Sequence, residues 1–236
     1  MVRFVTASGR RVPAVDAEGM REVDRVAVEE VGLALLQMME NAGRTLAANA
    51  REMAGEGPVV VVAGAGGNGG GGLCAARHLA NHGDDVRVVL DRDPEELSGA
   101  AATQYRVLSE TGTPVGTAAD AFDDAGLLVD ALIGYGLDGL VEGRAAYLIS
   151  ATNRSDARVL SLDVPSGLNA TTGERPGPSV SADRTLTLAL PKTGLTTVRD
   201  LRLADIGIPA GVYERVGVDY AQPFDGRPAV RVSPET

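Results

Sequence analysis

A run of four valines followed by a glycine-rich segment constrains this chain more than any other feature. Residues Val59 to Gly72 read VVVVAGAGGNGGGG. The β-branched run predicts a buried strand, and the seven glycines among the nine residues Gly64–Gly72 allow a sharp turn close to a ligand. A helix is expected from Leu73 to His82, so its free N–H groups would face the turn, where an anion could bind. The pattern is typical of a phosphate-binding turn.

Segments with strand and helix patterns alternate along the chain and predict its fold class. A helix capped by Asp16 is expected to run through about Val31, and a second from Leu33 to Met53. Further strands are expected at 85–90, 127–132, 158–162 and 184–190, and further helices at 94–110 and 142–152. Their short connections favour an α/β fold with an open, doubly wound, mostly parallel sheet. No linker or repeat marks a boundary, so we expect a single domain over residues 1–236.

Composition narrows the possible partners and compartment. The net charge of −10 disfavours nucleic acid and anionic membranes as partners. No apolar run approaches the roughly 20 residues that span a bilayer, and the N-terminal sequence lacks the apolar core of a signal peptide. We therefore expect a soluble, cytoplasmic protein. The only cysteine, Cys74, suits packing better than nucleophilic chemistry, and Lys192 is the only lysine among 22 basic residues.

Four polar or glycine-rich segments follow the predicted strands. They are Gly64–Gly72, Asp130–Leu140, Asp163–Gly173 and Pro191–Leu195. Ligands of open α/β sheets bind beyond the carboxyl ends of the strands, so we expect these segments to meet along one rim.

Side chains on this predicted rim offer oxygen ligands without sulfur or imidazole. Asp130 and Asp163 supply carboxylates near two strand ends, while Asn68 and Ser166 add an amide and a hydroxyl. This set suits a hard cation or ribose hydroxyls rather than zinc. Lys192 follows a strand directly, so it could neutralise a phosphate or assist proton transfer.

Two other chemistries fit the sequence less well. Gly64, Gly66 and Gly69 match the G-x-G-x-x-G dinucleotide fingerprint, and Asp91 lies about where a ribose-binding acid belongs. That match alone is weak. Ser166 lacks the preceding glycine of a nucleophile elbow, and no histidine is placed to activate it, so a serine nucleophile is not expected.

Two further polar pairs lie on predicted helices. His78 and His82 are four residues apart and lack a third metal ligand of the usual kind, so we expect them on a solvated helix face. Glu40 and Asn41 interrupt an apolar helical pattern, which makes them candidates for a site.

Several ordered motifs carry a family resemblance: MENAG at 39–43, the glycine-rich segment, DALIGYGL at 130–137, DVPSG at 163–167, PKTGL at 191–195 and DIGIP at 205–209. Together they resemble the YjeF N-terminal domain family, the NAD(P)HX epimerases, over about residues 15–210. The resemblance implies a Rossmann-like α/β/α sandwich that epimerises the hydrated nicotinamide of NADHX or NADPHX. It also implies a homodimer and delivery of the S form to a separate NAD(P)HX dehydratase, with no dehydratase domain fused here.

The resemblance also implies roles for individual residues. Asn68, Asp130 and Ser166 look like ligands of a potassium ion. The implied substrate contacts are Gly67, Asn68, Gly69, Gly70, Gly71, Gly134, Tyr135, Gly136, Leu137, Asp138, Gly139, Leu140 and Asp163. Inversion could proceed by loss of hydroxide and return of water to the other face of the ring. We hypothesise that Asp163 shuttles the proton while Lys192 contacts phosphate or supports the acid.

Three positions depart from the family pattern. Gly67 and Gly71 stand where the family usually has asparagine and aspartate, and Tyr135 stands where it usually has threonine. Because the two glycines remove polar contacts, a non-catalytic nucleotide-binding module of the same fold remains an alternative. An NAD-dependent oxidoreductase that uses Asp91 is a second alternative.

Overall fold

The computed structural model describes residues 2–235 and contains, within that range, one sheet of ten strands. The strands are β1 (Arg3–Thr6), β2 (Arg11–Pro13), β3 (Val59–Ala63), β4 (Val86–Leu90), β5 (Val115–Gly116), β6 (Leu127–Ala131), β7 (Arg158–Leu162), β8 (Arg184–Leu188), β9 (Leu201–Ala204) and β10 (Ala229–Pro234). Their order across the sheet is β2-β1-β10-β9-β8-β7-β6-β3-β4-β5. The strands from β9 to β5 pair in parallel, whereas β10, β1 and β2 pair antiparallel. The expected doubly wound, mostly parallel sheet is confirmed.

The valine run forms β3, near the centre of the sheet, and it is buried on both faces. Val59, Val61 and Ala63 pack into one core, whereas Val60 and Val62 pack into another. Successive side chains of a strand point to opposite faces, so an unbroken apolar run needs helices on both sides. The result is the α/β/α sandwich that the sequence implied.

Six α-helices lie within the described range: α1 (Ala17–Arg25), α2 (Leu35–Met53), α3 (Gly67–Asn81), α4 (Gly99–Ser109), α5 (Gly143–Thr152) and α6 (Ala210–Arg215). Asp16 caps α1 as expected, because its Oδ1 accepts a hydrogen bond of 2.7 Å from the backbone N–H of Gly19. The single helix expected at 94–110 is wrong. Residues Pro94–Glu96 form only a 3₁₀ turn, and Ser98 has an extended backbone. Helix α4 begins after Ser98.

Helix α3 begins at Gly67, so the prediction of a longer loop and a helix from Leu73 is wrong. The glycines of its first turns permit close packing of the helix. A Cβ atom at Gly70 would press on Met39 of α2, and one at Gly72 would press on Ala131 of β6. Close approach to α2 and the sheet outweighs the helix-propensity cost of about 1 kcal/mol per glycine.

The antiparallel edge of the sheet was not predicted. β1 pairs with β10, and Phe4 stands opposite Pro234. These short strands come from opposite ends of the described chain, so no local pattern reveals their pairing. Among residues 2–235, no helix is both long and apolar enough to cross a membrane.

Candidate active site

A cleft of about 960 Å³ opens where the sequence predicted the functional rim. Its wall combines the start of α3, the loop after β6, the residues after β7 and β8, and part of α1. The predicted catalytic and substrate-binding residues that line it are Gly67, Asn68, Gly71, Gly134, Tyr135, Gly136, Leu137, Asp138, Leu140, Asp163 and Lys192. Gly69, Gly70 and Gly139 lie outside this lining.

Asp163 and Lys192 form a buried ion pair in the wall of the cleft. Lys192 Nζ lies 2.5 Å from Asp163 Oδ1, and it also donates to the carbonyl oxygen of Leu188 at 2.9 Å. Asp163 Oδ2 accepts a hydrogen bond of 3.0 Å from the backbone N–H of Tyr135. Lys192 is fully buried and Asp163 is 4% exposed. The two groups are therefore fixed in position before any ligand binds.

The backbone at Asp163 explains how this carboxylate reaches the cleft. The residue directly follows β7 and has a φ of 65°, in the left-handed region that aspartate tolerates better than most residues. This conformation turns the chain sharply at the strand end. Such a conformation costs of order 1–3 kcal/mol and tends to occur at functional sites.

Asp130 lies deeper, in the centre of the sheet, and its hydrogen bonds come from uncharged donors. Its Oδ2 accepts from the Ser161 hydroxyl at 2.7 Å and from the Ser166 backbone N–H at 2.9 Å. Its Oδ1 accepts from the Ser166 hydroxyl at 2.5 Å and from the Leu132 N–H at 3.3 Å. Burial raises the pKa of Asp130, against the effect of these hydrogen bonds. Asp130 and Ser166, two of the three predicted cation ligands, are thus in direct contact.

Asn68, the third predicted cation ligand, lies in the first turn of α3 and faces the cleft. A Cβ atom at Gly134 would lie 3.1 Å from Asn68 Oδ1 and 3.0 Å from Asp163 Oδ2, so both side chains converge on the loop after β6. The Nδ2 atom of Asn68 is buried and has no hydrogen-bond partner within residues 2–235. An unpaired buried N–H donor is costly, so Nδ2 is available to an acceptor atom of a ligand, while Oδ1 is the atom of Asn68 that could face a cation.

A tyrosine and an aspartate add a polar contact that the sequence analysis missed. The Tyr135 hydroxyl donates a hydrogen bond of 2.6 Å to Asp24 Oδ2, and both residues line the cleft. Burial raises the pKa of Asp24 and that of Tyr135. The available signal was helical spacing, because Asp24 lies one turn after Met20 and three residues before Ala27, on the apolar face that the sequence predicts for the first helix.

The expectation of a solvated face is wrong for His78 and right for His82. His82 is exposed, whereas His78 is half-buried and its Nε2 lies 2.8 Å from Glu40 Oε1. The Arg77 guanidinium contacts Glu40 at 2.5 Å and Cys74 Sγ at 3.4 Å. The Arg77 side chain thus lies between Glu40, Cys74 and His78. Burial raises the pKa of the Cys74 thiol to about 12, so the cysteine serves packing.

Two other candidates take structural contacts. Asn41 donates from Nδ2 to the carbonyl oxygen of Ile206 at 3.1 Å, and neither it nor Glu40 lines the cleft. Asp91 does line the cleft, but both of its oxygens accept from Arg92, at 2.9 and 3.1 Å. The acid of the dinucleotide fingerprint is therefore already paired.

Comparison with known proteins gives consistent matches. The profile of the family described as "YjeF-related protein N-terminus" matches residues 35–194. The NAD(P)H-hydrate epimerase of Dehalogenimonas lykanthroporepellens is 45% identical, with 98% of each chain covered. The bifunctional NAD(P)H-hydrate repair enzyme Nnr of Salinibacter ruber is 39% identical over 86% of this chain but only 42% of its own length.

A solved structure supports the fold independently. The crystal structure of yeast ynu0 superposes with a TM-score of 0.82, covering 93% of this chain and 100% of that chain at 22% identity. The likeness shows the fold, while the profile and the identities show the family. The chain therefore belongs to the YjeF-related protein N-terminus family.

Proposed function

We propose that this protein is an NAD(P)H-hydrate epimerase, an isomerase that interconverts the R and S forms of hydrated NADH and NADPH. The relative from Dehalogenimonas lykanthroporepellens carries that name and matches nearly the whole chain. The observation that carries the proposal is the buried Asp163–Lys192 pair in the wall of the cleft. The cleft, at about 960 Å³, lies in the size range of small-molecule and cofactor sites.

In the proposed reaction, the C–O bond at the hydrated ring carbon breaks and later re-forms on the other face. Asp163, when protonated, gives its proton to the departing hydroxyl, which leaves as water, and the ring nitrogen supports the resulting cation. As a carboxylate, Asp163 accepts a proton in the reverse direction. Lys192 fixes the orientation of this carboxyl group and offsets its charge.

The loop residues have a binding role in this proposal. The α3 start at Gly67 and Asn68 and the loop from Gly134 to Leu140 hold the dinucleotide through backbone groups and the Asn68 amide. Gly67 has open space around its Cβ position, and Gly71 faces the flexible end of Leu162. Gly67 and Gly71, the two glycines that depart from the family pattern, therefore remove polar side chains from the cleft wall without closing the cleft.

We infer that Asn68, Asp130 and Ser166 hold a potassium ion. Asp130 is 1% exposed, and its hydrogen bonds from within residues 2–235 come from uncharged donors, so a cation would offset its desolvation. The set offers only oxygen and amide groups, which suit a hard cation. Such an ion would neutralise Asp130 and stabilise the loops beside the cleft.

Thermal unfolding tests the potassium site without any substrate. The melting temperature should rise in KCl relative to N-methyl-D-glucamine chloride at the same ionic strength. In Asp130→Asn this difference should disappear. An equal response to both salts in the parent protein would count against the ion.

We further propose that the S product passes to an NAD(P)HX dehydratase. The Salinibacter ruber relative, named as bifunctional, is more than twice as long as the segment matched here. With purified dehydratase alone only S-NADHX should be consumed, whereas addition of this protein should lead to consumption of both R-NADHX and S-NADHX. Light scattering in solution tests the proposed homodimer, and cell fractionation tests the cytoplasmic location.

Chromatography of R-NADHX and S-NADHX with purified protein separates the candidate functions. Interconversion that is lost in Asp163→Asn supports the epimerase. Binding without conversion would instead support the non-catalytic module, which the glycines at 67 and 71 suggested. Binding of NAD alone would support an oxidoreductase, although Arg92 already occupies the Asp91 carboxylate.

A further inference from the structure

A second carboxylate faces the cleft and has no role in the reaction described so far. Asp24 projects from α1 into the same cleft as Asp163. Its Oδ2 is held by the Tyr135 hydroxyl at 2.6 Å. Its Oδ1 accepts no hydrogen bond from residues 2–235, although the residue is half-buried. One oxygen is therefore fixed while the other is available to a reactant.

One tyrosine joins the two carboxylates. The backbone N–H of Tyr135 donates to Asp163 Oδ2, and its side-chain hydroxyl donates to Asp24 Oδ2. The carboxylates of Asp24 and Asp163 therefore contact opposite ends of Tyr135, its side-chain hydroxyl and its backbone N–H, along the same cleft. In inverting glycosidases, two carboxyl groups about 6.5–9.5 Å apart leave room for the reacting carbon and a water molecule between them. Here the separation is set by Tyr135, so a ring bound against this residue would have Asp163 on one side and Asp24 on the other.

Inversion at carbon needs proton transfer on both faces of the ring. The hydroxyl leaves from one face as water, and a water molecule adds to the other face and loses a proton. In the reverse reaction the two faces exchange these tasks, so each face needs a group that can both give and accept a proton. Asp163, with Lys192, serves only one face.

We propose that Asp24 is the catalytic acid and base of the second face and that Tyr135 is its positioning residue. This assignment rests on the proposed function. The C–O bond forms between water and the ring cation, and the water proton passes to Asp24 Oδ1. In the reverse direction protonated Asp24 gives that proton to the departing hydroxyl. No electrons are gained or lost, and the two carboxyl groups regain their starting states through solvent.

The surroundings of Asp24 suit both protonation states. Burial and the nearby charge of Asp163 raise the pKa of Asp24, whereas the Tyr135 hydrogen bond and the charge of Lys192 favour the carboxylate. Arg21, on the same helix, also lines the cleft and favours the approach of an anionic substrate, whereas Arg25 is paired with Glu22 and Glu30.

Exchange with ¹⁸O-labelled water separates the two faces. The parent enzyme should incorporate ¹⁸O while interconverting the R and S forms. In Asp24→Asn, inversion should fall by about 100-fold or more, the usual contribution of a positioned acid or base. One diastereomer should still exchange its hydroxyl with retention, because departure and return on the Asp163 face remain possible.

Three further variants complete the test. Asp24→Glu should recover part of the inversion rate, and Tyr135→Phe should slow inversion about 5- to 10-fold while exchange with retention persists. Glu18→Gln, an exposed acid of α1 outside the cleft lining, should match the parent. Inversion at the parent rate in Asp24→Asn would overturn the proposal. So would an equal loss of exchange and inversion in Asp24→Asn when circular dichroism shows that the variant is fully folded at the assay temperature.

The same experiment distinguishes failure of this proposal from failure of the proposed function. A parent protein that neither exchanges nor inverts the substrate overturns both. A parent protein that inverts the substrate while Asp24→Asn inverts it equally well overturns only the role of Asp24.

Discussion

Replacing Lys192 by methionine tests how strongly the ion pair stabilises the fold. The substitution keeps an unbranched side chain, one atom shorter, but removes the donor to Asp163 Oδ1, the Leu188 carbonyl and, at 3.4 Å, the Thr187 hydroxyl. The Asp163 carboxylate then stays buried with only the backbone N–H groups of Tyr135 and Leu188 as partners. Removing one partner of a buried ion pair costs about 3–5 kcal/mol.

This loss is large relative to the 5–15 kcal/mol that stabilise a typical domain. For a chain of this size about 1 kcal/mol shifts the melting temperature by about 2–4 °C, so Lys192→Met should melt about 6–20 °C lower. Urea unfolding gives the free energy directly. A matched control is Arg87→Met, which removes the more exposed ion pair with Asp124 and should cost less than about 1 kcal/mol.

A double variant makes the interpretation specific. Asp163→Asn combined with Lys192→Met leaves no uncompensated charge, so its cost should be smaller than the sum of the two single costs by about 2 kcal/mol or more. Additive costs would refute the reasoning. A loss below about 1 kcal/mol for Lys192→Met alone would also refute it.

Three further results are expected. Gly69→Ala should destabilise strongly because its Cβ would overlap the Gly64 carbonyl oxygen, whereas Gly67→Ala, with open space around it, should melt at or slightly above the parent temperature. Cys74, with its pKa raised to about 12, should react with iodoacetamide at pH 8 about 1,000-fold more slowly than a free thiol, and normally once unfolded. Because the pKa of Asp24 is raised in the folded protein, the fold favours the protonated side chain. The resulting stabilisation is complete below about pH 4 and is lost as the pH rises through the pKa of the folded state. Asp24→Asn should therefore gain melting temperature relative to the parent between pH 4 and 7.5; a constant difference would contradict this.

The position of the cleft was predictable because parallel strands impose it. Asp130 belongs to β6 and Asp163 follows β7, and these strands are neighbours in the sheet. Their carboxyl ends must therefore lie at one edge, together with the start of α3. Periodicity alone located the strands, so the rim followed from general rules of α/β sheets.

Three features depend on tertiary contacts and could not be predicted in this way. Helix α3 starts at Gly67 because packing against Met39 and the sheet outweighs the low helix propensity of glycine. His78 is half-buried because Glu40 of α2 lies opposite it. Asp24 gains its significance only from the contact with Tyr135, 111 residues later in the chain.

The complete burial of the only lysine has a practical consequence for labelling. Lys192 carries the only side-chain amine of the sequence, and none of it is exposed. Amine-directed reagents such as succinimidyl esters therefore find no lysine on the folded surface, whose positive charges are arginines. Modification of Lys192 requires the cleft wall to open, so its labelling rate reports the frequency of that opening. The same residue becomes a built-in probe of local unfolding at the active site.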